Sequence, residues 1–240
     1  MATNQMWNWM TTRLGAGGGN ASSVFVVGLG RFGTALASAL VDLGVEVVAV
    51  DTNPDLVNTW VDRITHVRLA DGTNPATLEQ LGAAGFDAVV VAIGSDIEAS
   101  ILSTAALADQ GAQNIWAKAI TPQHGRILER VGATEVVYPE QQMGQRVARV
   151  VTGQVLDYFM IDEGFVIAEL DCPTQLAGRS LAESAVRQRF EITVASVKPA
   201  GGVFTYATAD TVVNAGDQLL VAGKIDKVEQ FTRTMSASKQ

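Results

Sequence analysis

Short apolar runs alternate with longer amphipathic stretches from Val24 to Tyr138. The short runs are rich in valine, isoleucine and alanine, which is typical of strands that are buried on both faces of a parallel sheet. In the longer stretches, apolar residues recur at the spacing of one helix face. The regular alternation of strand and helix predicts an α/β domain with a doubly wound, parallel Rossmann-type sheet.

The boundaries of these elements follow from the same pattern. The predicted strands are Val24–Val27, Val45–Val50, His66–Ala70, Ala88–Ile93, Ile115–Ala119 and Val136–Tyr138. The predicted helices are Gly33–Leu43, Asp55–Asp62, Pro75–Leu81, Ile97–Gln110 and Pro122–Val131.

The pattern changes after Pro139. One long helix is predicted over Gln141–Phe159, and it links two modules. The rest of the chain mixes short strands with two helices, which predicts a smaller α+β domain. One of these helices is Leu181–Arg189, with Ser180 and Glu183 as a capping box, and Gly201-Gly202 is read as a hairpin turn. The predicted organisation is a tail (1–22), a Rossmann domain (23–140), a linker helix (141–160) and a small domain (161–235).

Composition narrows the class of protein. The chain is 48% apolar and 18% charged, as in a soluble globular protein, and its net charge of −8 disfavours a nucleic-acid partner. The only cysteine, Cys172, can form neither an internal disulfide nor a cysteine-based zinc site, and we interpret it as a small buried hydrophobe. The longest uninterrupted apolar run, Ala88–Ile93, is far too short for a membrane-spanning helix.

The first residues carry an unusual cluster of large side chains. Trp7 and Trp9 lie beside Met6 and Met10, and the segment Gly15–Asn20 after them has the composition of a flexible linker. Two interpretations remain open: the tail docks on a partner or at a membrane interface, or it is a frayed extension without a role.

The strongest chemical signal is Gly28-Leu29-Gly30-Arg31-Phe32-Gly33, which follows an apolar strand and opens a helix. In such a turn, Gly28 permits a tight bend, Gly30 lets the backbone approach a phosphate, and Gly33 lets helix and strand pack closely. The N–H groups at the helix start then face the phosphates. Asp51, at the end of the next strand, is placed to accept hydrogen bonds from ribose hydroxyls and disfavours NADP.

Further loops at strand ends extend the same crevice. Asp71 and Thr73 follow the third predicted strand and are candidate partners of an adenine ring. Asp96 follows the fourth strand and is either part of the site or the N-cap of the next helix. Arg31 inside the glycine turn and Lys118 at the end of the fifth strand are candidates for neutralising phosphate charge.

Catalytic signatures are missing from the sequence. The two histidines are His66, for which we expect a structural role in a strand, and His124, which we expect to face solvent at a helix start. No nucleophile–base set or metalloprotease motif is present. We therefore expect a protein that binds its ligand and is not an enzyme.

Several segments together resemble the cytosolic KtrA/TrkA proteins, which regulate potassium conductance through RCK domains. These segments are Val24–Gly33, Val47–Asp51, Val89–Gly94, Asn114–Lys118 and Tyr138–Gly144. The resemblance extends in order from about Ser23 to Arg233, and the Gly-Leu-Gly-Arg-Phe-Gly turn with Tyr-Pro-Glu-x-x-Met-Gly is much more specific than the glycines alone.

The resemblance implies a nucleotide-sensing regulatory subunit of a potassium uptake system, with an RCK_N Rossmann domain and an RCK_C domain. Such proteins form homodimers that assemble into an octameric ring under a separate membrane potassium-channel subunit. The chain is therefore expected in the cytoplasm, at the inner face of the cell membrane. The implied ligand is ATP or ADP in the Ktr branch, or NAD or NADH in the Trk branch, and it gates the pore by changing the shape of the ring.

The resemblance also implies a set of site residues. The implied nucleotide-binding residues are Gly28, Gly30, Arg31, Phe32, Gly33, Asp51, Asp71, Thr73, Ala92, Ile93, Gly94 and Lys118. Arg31 would meet the γ-phosphate across the dimer, and Glu140 matches a glutamate that can hold a divalent cation, Mg²⁺ or Ca²⁺, between subunits. One carboxylate needs further ligands for this, from the nucleotide or a second copy.

One residue departs from the family's usual sequence, and one region lacks a recognisable motif. Asp71 stands where close relatives often have asparagine, which weakens its assignment to adenine. The RCK_C domain binds cyclic di-AMP in part of the family, and here the stretch Ala185–Arg187 with the strand from Ile192 occupies that region without a recognisable motif.

Two other functions remain as alternatives. One is a small NAD-dependent dehydrogenase, against which the missing acid–base residues argue. The other is a scaffold protein with a vestigial nucleotide site.

Overall fold

The computed structural model of the chain describes residues 21–152, 155–162 and 164–236. The Trp-rich segment and the glycine linker of the predicted tail lie outside these residues. The chain divides into two compact units with a boundary between Glu140 and Gln141. Within the described residues, no helix combines the length and the apolar character needed to cross a membrane.

The first unit is built on a six-stranded parallel sheet, which confirms the predicted fold class. Its strand order is β3-β2-β1-β4-β5-β6. The strands are β1 (Ser23–Val27), β2 (Glu46–Asp51), β3 (His66–Leu69), β4 (Ala88–Val91), β5 (Ile115–Lys118) and β6 (Glu135–Val137). The helices that begin in this unit are α1 (Arg31–Asp42), α2 (Pro54–Trp60), α3 (Pro75–Gln80), α4 (Ile97–Asp109), α5 (Pro122–Arg130) and α6 (Pro139–Val151).

The two faces of this sheet carry separate apolar clusters. Successive residues of β1 point to opposite faces, so Phe25 packs with Leu107 and Leu128 of α4 and α5, whereas Val26 packs with Leu36 of α1. Both Phe25 and Val26 are fully buried. Because the chain passes from β3 at one edge of the sheet to β4 beside β1, the carboxyl ends of β1 and β4 form the topological switch point where α/β folds bind ligands.

The second unit contains a five-stranded antiparallel sheet of order β11-β10-β13-β8-β7 and a two-stranded ribbon of β12 and β9. The strands are β7 (Asp157–Asp162), β8 (Phe165–Asp171), β9 (Arg179–Ser180), β10 (Thr193–Lys198), β11 (Thr205–Tyr206), β12 (Val212–Val213) and β13 (Gln218–Lys224). The helices are α7 (Leu181–Ser184), α8 (Val186–Phe190) and α9 (Ile225–Ser236). The core packs Phe190 edge-to-face on Phe231, with ring centroids 5.1 Å apart. This unit matches the predicted smaller α+β domain.

The predicted linker helix over 141–160 was wrong in its extent. The helix begins at Pro139 and ends at Val151, and Asp157–Asp162 is strand β7, paired with β8 through Tyr158 and Ala168. The apolar spacing continues in the sequence to Val155, but the residues from Asp157 onward pair with β8 in an antiparallel ladder instead of extending the helix. The compact second unit accordingly starts at Gln141 and not at residue 161.

The predicted helix Leu181–Arg189 was also wrong, because it is two short helices. The Ser180–Glu183 capping box is present, but Ala185 adopts a left-handed conformation with φ of 47° and separates α7 from α8. Alanine favours helix and gave no sign of this break. The turn at Gly201-Gly202 lies, as expected, in the antiparallel connection between β10 and β11.

Candidate functional site: a cavity at the glycine turn

A cavity of about 550 Å³ lies beyond the carboxyl ends of the first four strands. Its size falls within the range of roughly 300–1,000 Å³ that is usual for small-molecule sites. The loops that follow β1, β2, β3 and β4 all contribute to its wall. The lining residues are Val27, Gly28, Gly30, Val50, Asp51, Thr52, Asn53, Leu56, Ala70, Asp71, Gly72, Thr73, Ala92, Ile93, Gly94, Ser95, Asp96 and Ala99.

The glycine turn has the geometry that a phosphate-binding turn requires. Gly28 has φ of +100°, which only glycine adopts readily, and its N–H donates to the Val50 carbonyl at 2.8 Å. At Gly33, a Cβ would lie 1.9 Å from the carbonyl oxygen of Gly28, so this glycine lets α1 pack against the turn. A Cβ on Gly30 would meet no atom within 4 Å, and Gly30 itself lines the cavity. The space in front of the start of α1 is therefore open.

The first turn of α1 has the character of an anion site. Gly30 is its N-cap residue and has no side chain to cap the turn, and no acidic residue lies within it. The N–H groups of a first helical turn lack intrahelical partners and carry the positive end of the helix dipole. Because this turn opens beside the cavity, an anionic group in the cavity can accept these hydrogen bonds.

Asp51 braces the glycine turn from the end of β2. Its Oδ2 accepts from the N–H of Leu29 at 2.6 Å, and its Oδ1 accepts from the N–H of Asn53 at 2.8 Å. A carboxylate has about four acceptor positions, so further acceptor capacity remains on a half-buried group that lines the cavity. Asp51 is thus placed where it can hold a diol while it fixes the turn.

Asp71 and Thr73 form a small turn in the loop that follows β3, and both line the cavity. The N–H and the hydroxyl of Thr73 donate to Asp71 Oδ1 at 2.9 and 2.7 Å. These hydrogen bonds hold the pKa of Asp71 below its ordinary value. Asp96 also lines the cavity, yet its Oδ1 accepts from the N–H of Ala99 at 2.9 Å as the N-cap of α4. The structural interpretation of Asp96 is therefore confirmed.

A charged cluster lies at the rim of the cavity, beside Gly94. Lys118 Nζ donates to Glu140 Oε1 at 2.6 Å, and a Cβ on Gly94 would lie 2.9 Å from the same Nζ. The Lys118 side chain is 11% exposed, whereas that of Glu140 is 61% exposed. The ion pair, helped by the charge of Arg31, lowers the pKa of Glu140.

Some predicted site residues lie outside the cavity wall. Arg31 is exposed at the start of α1, and Gly33 is buried behind the turn. Phe32 lines a separate apolar groove, and its ring centroid is 5.8 Å from Lys118 Nζ. Lys118 and Arg31, both predicted to neutralise phosphate charge, lie at the rim, where only an extended ligand would reach them.

The cation predicted at Glu140 finds no complete site among the residues that the structure describes. Across the described ranges, no group of three or more histidine, cysteine, aspartate or glutamate side chains is arranged to hold a metal ion. Glu140 is instead paired with Lys118. A cation at Glu140 would need further ligands from beyond the described residues.

Cys172 and His124 are both buried, away from the cavity. Burial raises the pKa of the Cys172 thiol to about 11. The prediction that His124 faces solvent was wrong, since it is 2% exposed and its Nδ1 accepts from the N–H of Ile120 at 3.5 Å. The short N-terminal turn of α5, capped by Thr121, folds His124 inward. Neither residue lines the cavity.

Sequence reasoning missed several residues of the cavity wall. Asn53 caps α2 and donates its N–H to Asp51, while Leu56 and Ala99 provide apolar surface. Asn53-Pro54 was a readable cap signal, but nothing in the sequence alone placed Leu56 or Ala99 toward the ligand.

Comparison with known proteins agrees with this architecture. The TrkA-N domain model matches residues 24–139, and the TrkA-C domain model matches residues 165–236. Ktr system potassium uptake protein C of Bacillus subtilis (strain 168) is 35% identical over 215 residues, which are 89% of this chain and 97% of that protein. Ktr system potassium uptake protein A of Vibrio alginolyticus is 32% identical over 211 residues, 88% of this chain and 96% of the relative.

Solved structures show the same fold at lower identity. The GsuK RCK domain superposes with a TM-score of 0.61 at 19% identity, covering 95% of this chain and 51% of that one. A structure described as the GsuK channel bound to NAD gives a TM-score of 0.62 at 20% identity, with 95% of this chain and 42% of that chain covered. The chain thus spans about half or less of these two solved chains.

Proposed function

The chain belongs to the TrkA/Ktr family of potassium uptake proteins, and we propose on this basis that it is a regulatory subunit that binds an adenine nucleotide in its first unit and gates a separate membrane potassium-channel subunit. The family supports the role in potassium uptake. The nucleotide is inferred from the cavity, and the gating is proposed from what the resemblance to the family implies.

One observation carries the nucleotide assignment: the cavity joins a glycine turn, an uncapped helix start and the Asp51 carboxylate on one wall. The helix start suits phosphates and the carboxylate suits ribose hydroxyls. The apolar side chains of Leu56 and Ala99 suit the faces of an adenine ring. ATP, ADP, NAD and NADH all contain this adenosine phosphate unit, so the cavity supports adenine nucleotides as a class of ligand and does not distinguish between them.

The charged rim offers a way to sense the phosphate chain. Lys118 now neutralises Glu140 at 2.6 Å. A terminal phosphate that reaches past Gly94 competes with Glu140 for the same ammonium group, because it carries nearly two negative charges and a carboxylate carries one. Arg31 adds a second cation on the same side. A longer phosphate chain would therefore rearrange the start of α6, while a shorter one leaves the ion pair intact.

Gating requires only that two conformations of the protein differ in nucleotide affinity. A coupling of about 1–3 kcal/mol per site is typical of allosteric proteins and suffices when several sites act together. We propose the homodimer and octameric ring implied by the resemblance as the assembly that joins the sites, positioned at the inner face of the membrane by the channel subunit. Mg²⁺ or Ca²⁺ at Glu140 and cyclic di-AMP in the second unit are proposed as additional ligands.

The proposed function is tested by a thermal-shift panel on the full chain with ATP, ADP, NAD, NADH and cyclic di-AMP. A ligand at 100 times its Kd stabilises by about 2.7 kcal/mol, so a true nucleotide stands out. Failure of every nucleotide to shift the melting temperature overturns the proposal and favours a scaffold protein. A change in absorbance of NADH with a small carbonyl substrate would instead favour a dehydrogenase.

A further inference from the structure

A glycine lies inside helix α5, at a position where alanine would suit the helix better. Gly125 is buried within Pro122–Arg130, and glycine is one of the least favourable residues in a helix interior. A Cβ on Gly125 would lie 1.8 Å from the hydroxyl oxygen of Tyr138, 2.8 Å from its Cζ and 3.2 Å from Cγ1 of Val136. The tip of the Tyr138 ring therefore lies directly against the backbone of α5, and only glycine leaves room for it.

Tyr138 connects α5 with the last strand of the parallel sheet. It follows Val137, the last residue of β6, and its ring packs with the apolar cluster that contains Leu128 of α5. The carbonyl of Val137 accepts from the N–H of Ala119 at 2.9 Å, and Val137 is the register partner of Lys118. The backbone just before Tyr138 is thus fixed by the sheet, and the side chain of Tyr138 is fixed against α5.

These two attachments come immediately before the charged pair of the cavity rim. Pro139 begins α6 with a backbone angle that its ring restricts, and Glu140 is the next residue. Glu140 Oε1 accepts from Lys118 Nζ at 2.6 Å. The Lys118 side chain lies close along Gly94, where a Cβ would be 2.9 Å from Nζ, 3.0 Å from Cε and 3.3 Å from Cδ. One residue therefore separates Tyr138 from an ion pair whose other partner is already packed in place.

We propose that Tyr138, packed against Gly125, is a positioning residue that holds Glu140 against Lys118. An ion pair with an exposed partner is normally weak, because ordering the exposed side chain costs conformational entropy. The Glu140 side chain is 61% exposed, so the ion pair depends on how firmly the backbone at the start of α6 is held. Without the tyrosine ring, this backbone has a wider range of positions, and Glu140 spends less time at Lys118.

A double-mutant cycle on the full chain tests the proposal without nucleotide. Glu140→Gln should lower the Tm of the wild type by up to roughly 4 °C, the contribution of one partly exposed ion pair. In a Tyr138→Ala background, the same substitution should lower Tm by less than about half as much, because the ion pair is already loosened. Tyr138→Phe keeps the ring and should behave like the wild type. The same change in Tm in the wild type and in Tyr138→Ala would overturn the proposal.

Val136→Ala is the matched control for a loss of packing. Val136 belongs to the same apolar cluster and also lies near Gly125, but it precedes the residue that the sheet fixes to Ala119. Its truncation should destabilise the first unit, yet Glu140→Gln should lower Tm as much in this background as in the wild type. A smaller effect of Glu140→Gln here as well would assign the loosening to packing in general and overturn the role of Tyr138.

Gly125→Ala disturbs the same contact from the side of the helix. Its methyl group displaces the Tyr138 ring, so it should reproduce the effect of Tyr138→Ala in the cycle with Glu140→Gln. In the Tyr138→Ala background, Gly125→Ala should leave Tm unchanged or raise it, because alanine is the better helix former. An equal loss of Tm with and without the tyrosine would contradict the contact that the proposal requires.

A consequence for nucleotide binding rests on the proposed function, in which a terminal phosphate displaces Glu140 from Lys118. In calorimetry without divalent cations, Tyr138→Ala should raise ATP affinity by up to about five-fold and change ADP affinity by less than about two-fold. Glu140→Gln should give the same increase, and the two substitutions together should give no more than either alone. A wild type that binds neither nucleotide would refute the proposed function and leave the Tm cycle to decide on Tyr138. An unchanged ratio of ATP to ADP affinity in Tyr138→Ala, with both nucleotides bound by the wild type, would refute the role of Tyr138 alone.

Discussion

Two substitutions of glycine by alanine in the glycine turn distinguish an effect on ligand binding from an effect on stability. Gly30→Ala adds a Cβ that meets no atom within 4 Å, at a backbone conformation (φ −66°, ψ −174°) that alanine adopts. Gly33→Ala adds a Cβ 1.9 Å from the Gly28 carbonyl oxygen. The first methyl projects into open space at the cavity, and the second forces the backbone of the turn apart.

The expected magnitudes differ accordingly. Gly30→Ala should change the free energy of unfolding without nucleotide by less than about 1 kcal/mol, because a poorer N-cap residue is offset by a less flexible unfolded chain. Gly33→Ala should destabilise by about 1–3 kcal/mol or more through overpacking, which lowers Tm by roughly 2–12 °C. If the Gly30 methyl weakens ADP ten-fold, the stabilisation at 100 times the wild-type Kd falls from about 2.7 to about 1.4 kcal/mol.

Differential scanning fluorimetry with and without ADP measures both quantities on the same samples. Gly30→Ala should melt like the wild type without ADP and show about half of its ADP-induced shift. Gly44→Ala, whose Cβ also meets nothing within 4 Å but which has φ of +79° and lies away from the cavity, should keep the shift in full despite its backbone strain. A full ADP shift in Gly30→Ala would refute the assignment of the turn to phosphate.

Three further predictions concern the rim and the interior. Arg31→Ala should reduce ATP affinity more than ADP affinity in isothermal titration calorimetry, and equal losses would remove Arg31 from the terminal phosphate. The Lys118 ion pair lowers the pKa of Glu140, so its contribution to stability is present above pH 4.5 and is lost as pH falls through the folded-state pKa. The Glu140→Gln variant should therefore be less stable than the wild type by up to about 1 kcal/mol at pH 7. In acid denaturation scans, the stabilities of the two proteins should converge. Burial lowers the pKa of His124, so its neutral form stabilises the fold above pH 6.5, and this stability is lost as pH falls below that value. In urea denaturation below pH 6.5, the free energy of unfolding of His124→Gln should depend less on pH than that of the wild type. An unchanged pH dependence in the variant would contradict this role of His124.

The fold of the first unit could be predicted because its signals are local. Most of its strands are short apolar runs, and several of its helices begin at a capping residue such as Asn53, Asn74 or Asp96. The second unit was harder, since strand β7 and the break at Ala185 depend on pairing and packing with distant residues. Such tertiary constraints leave little trace in the periodicity of one segment.

The candidate site shows the same division. Gly28, Gly30 and Asp51 could be placed because turn geometry and sheet topology fix where they must lie. The Lys118–Glu140 ion pair could not, because it joins the end of β5 to the start of α6 through side-chain conformations. Likewise, the burial of His124 depends on how α5 packs, which the sequence does not state.

The proposed nucleotide site depends above all on Asp51, which would hold the ribose of an adenosine phosphate in the cavity. Calorimetric titration of the wild type and Asp51→Ala with ADP and 2′-deoxy-ADP tests it most directly. We expect the wild type to bind ADP about ten-fold more tightly than the deoxy analogue, which is the contribution of one hydrogen bond to a charged group. We expect Asp51→Ala to bind both nucleotides weakly and with equal affinity. Equal affinity of the wild type for the two nucleotides, or an undiminished preference in Asp51→Ala, would refute ribose binding by Asp51.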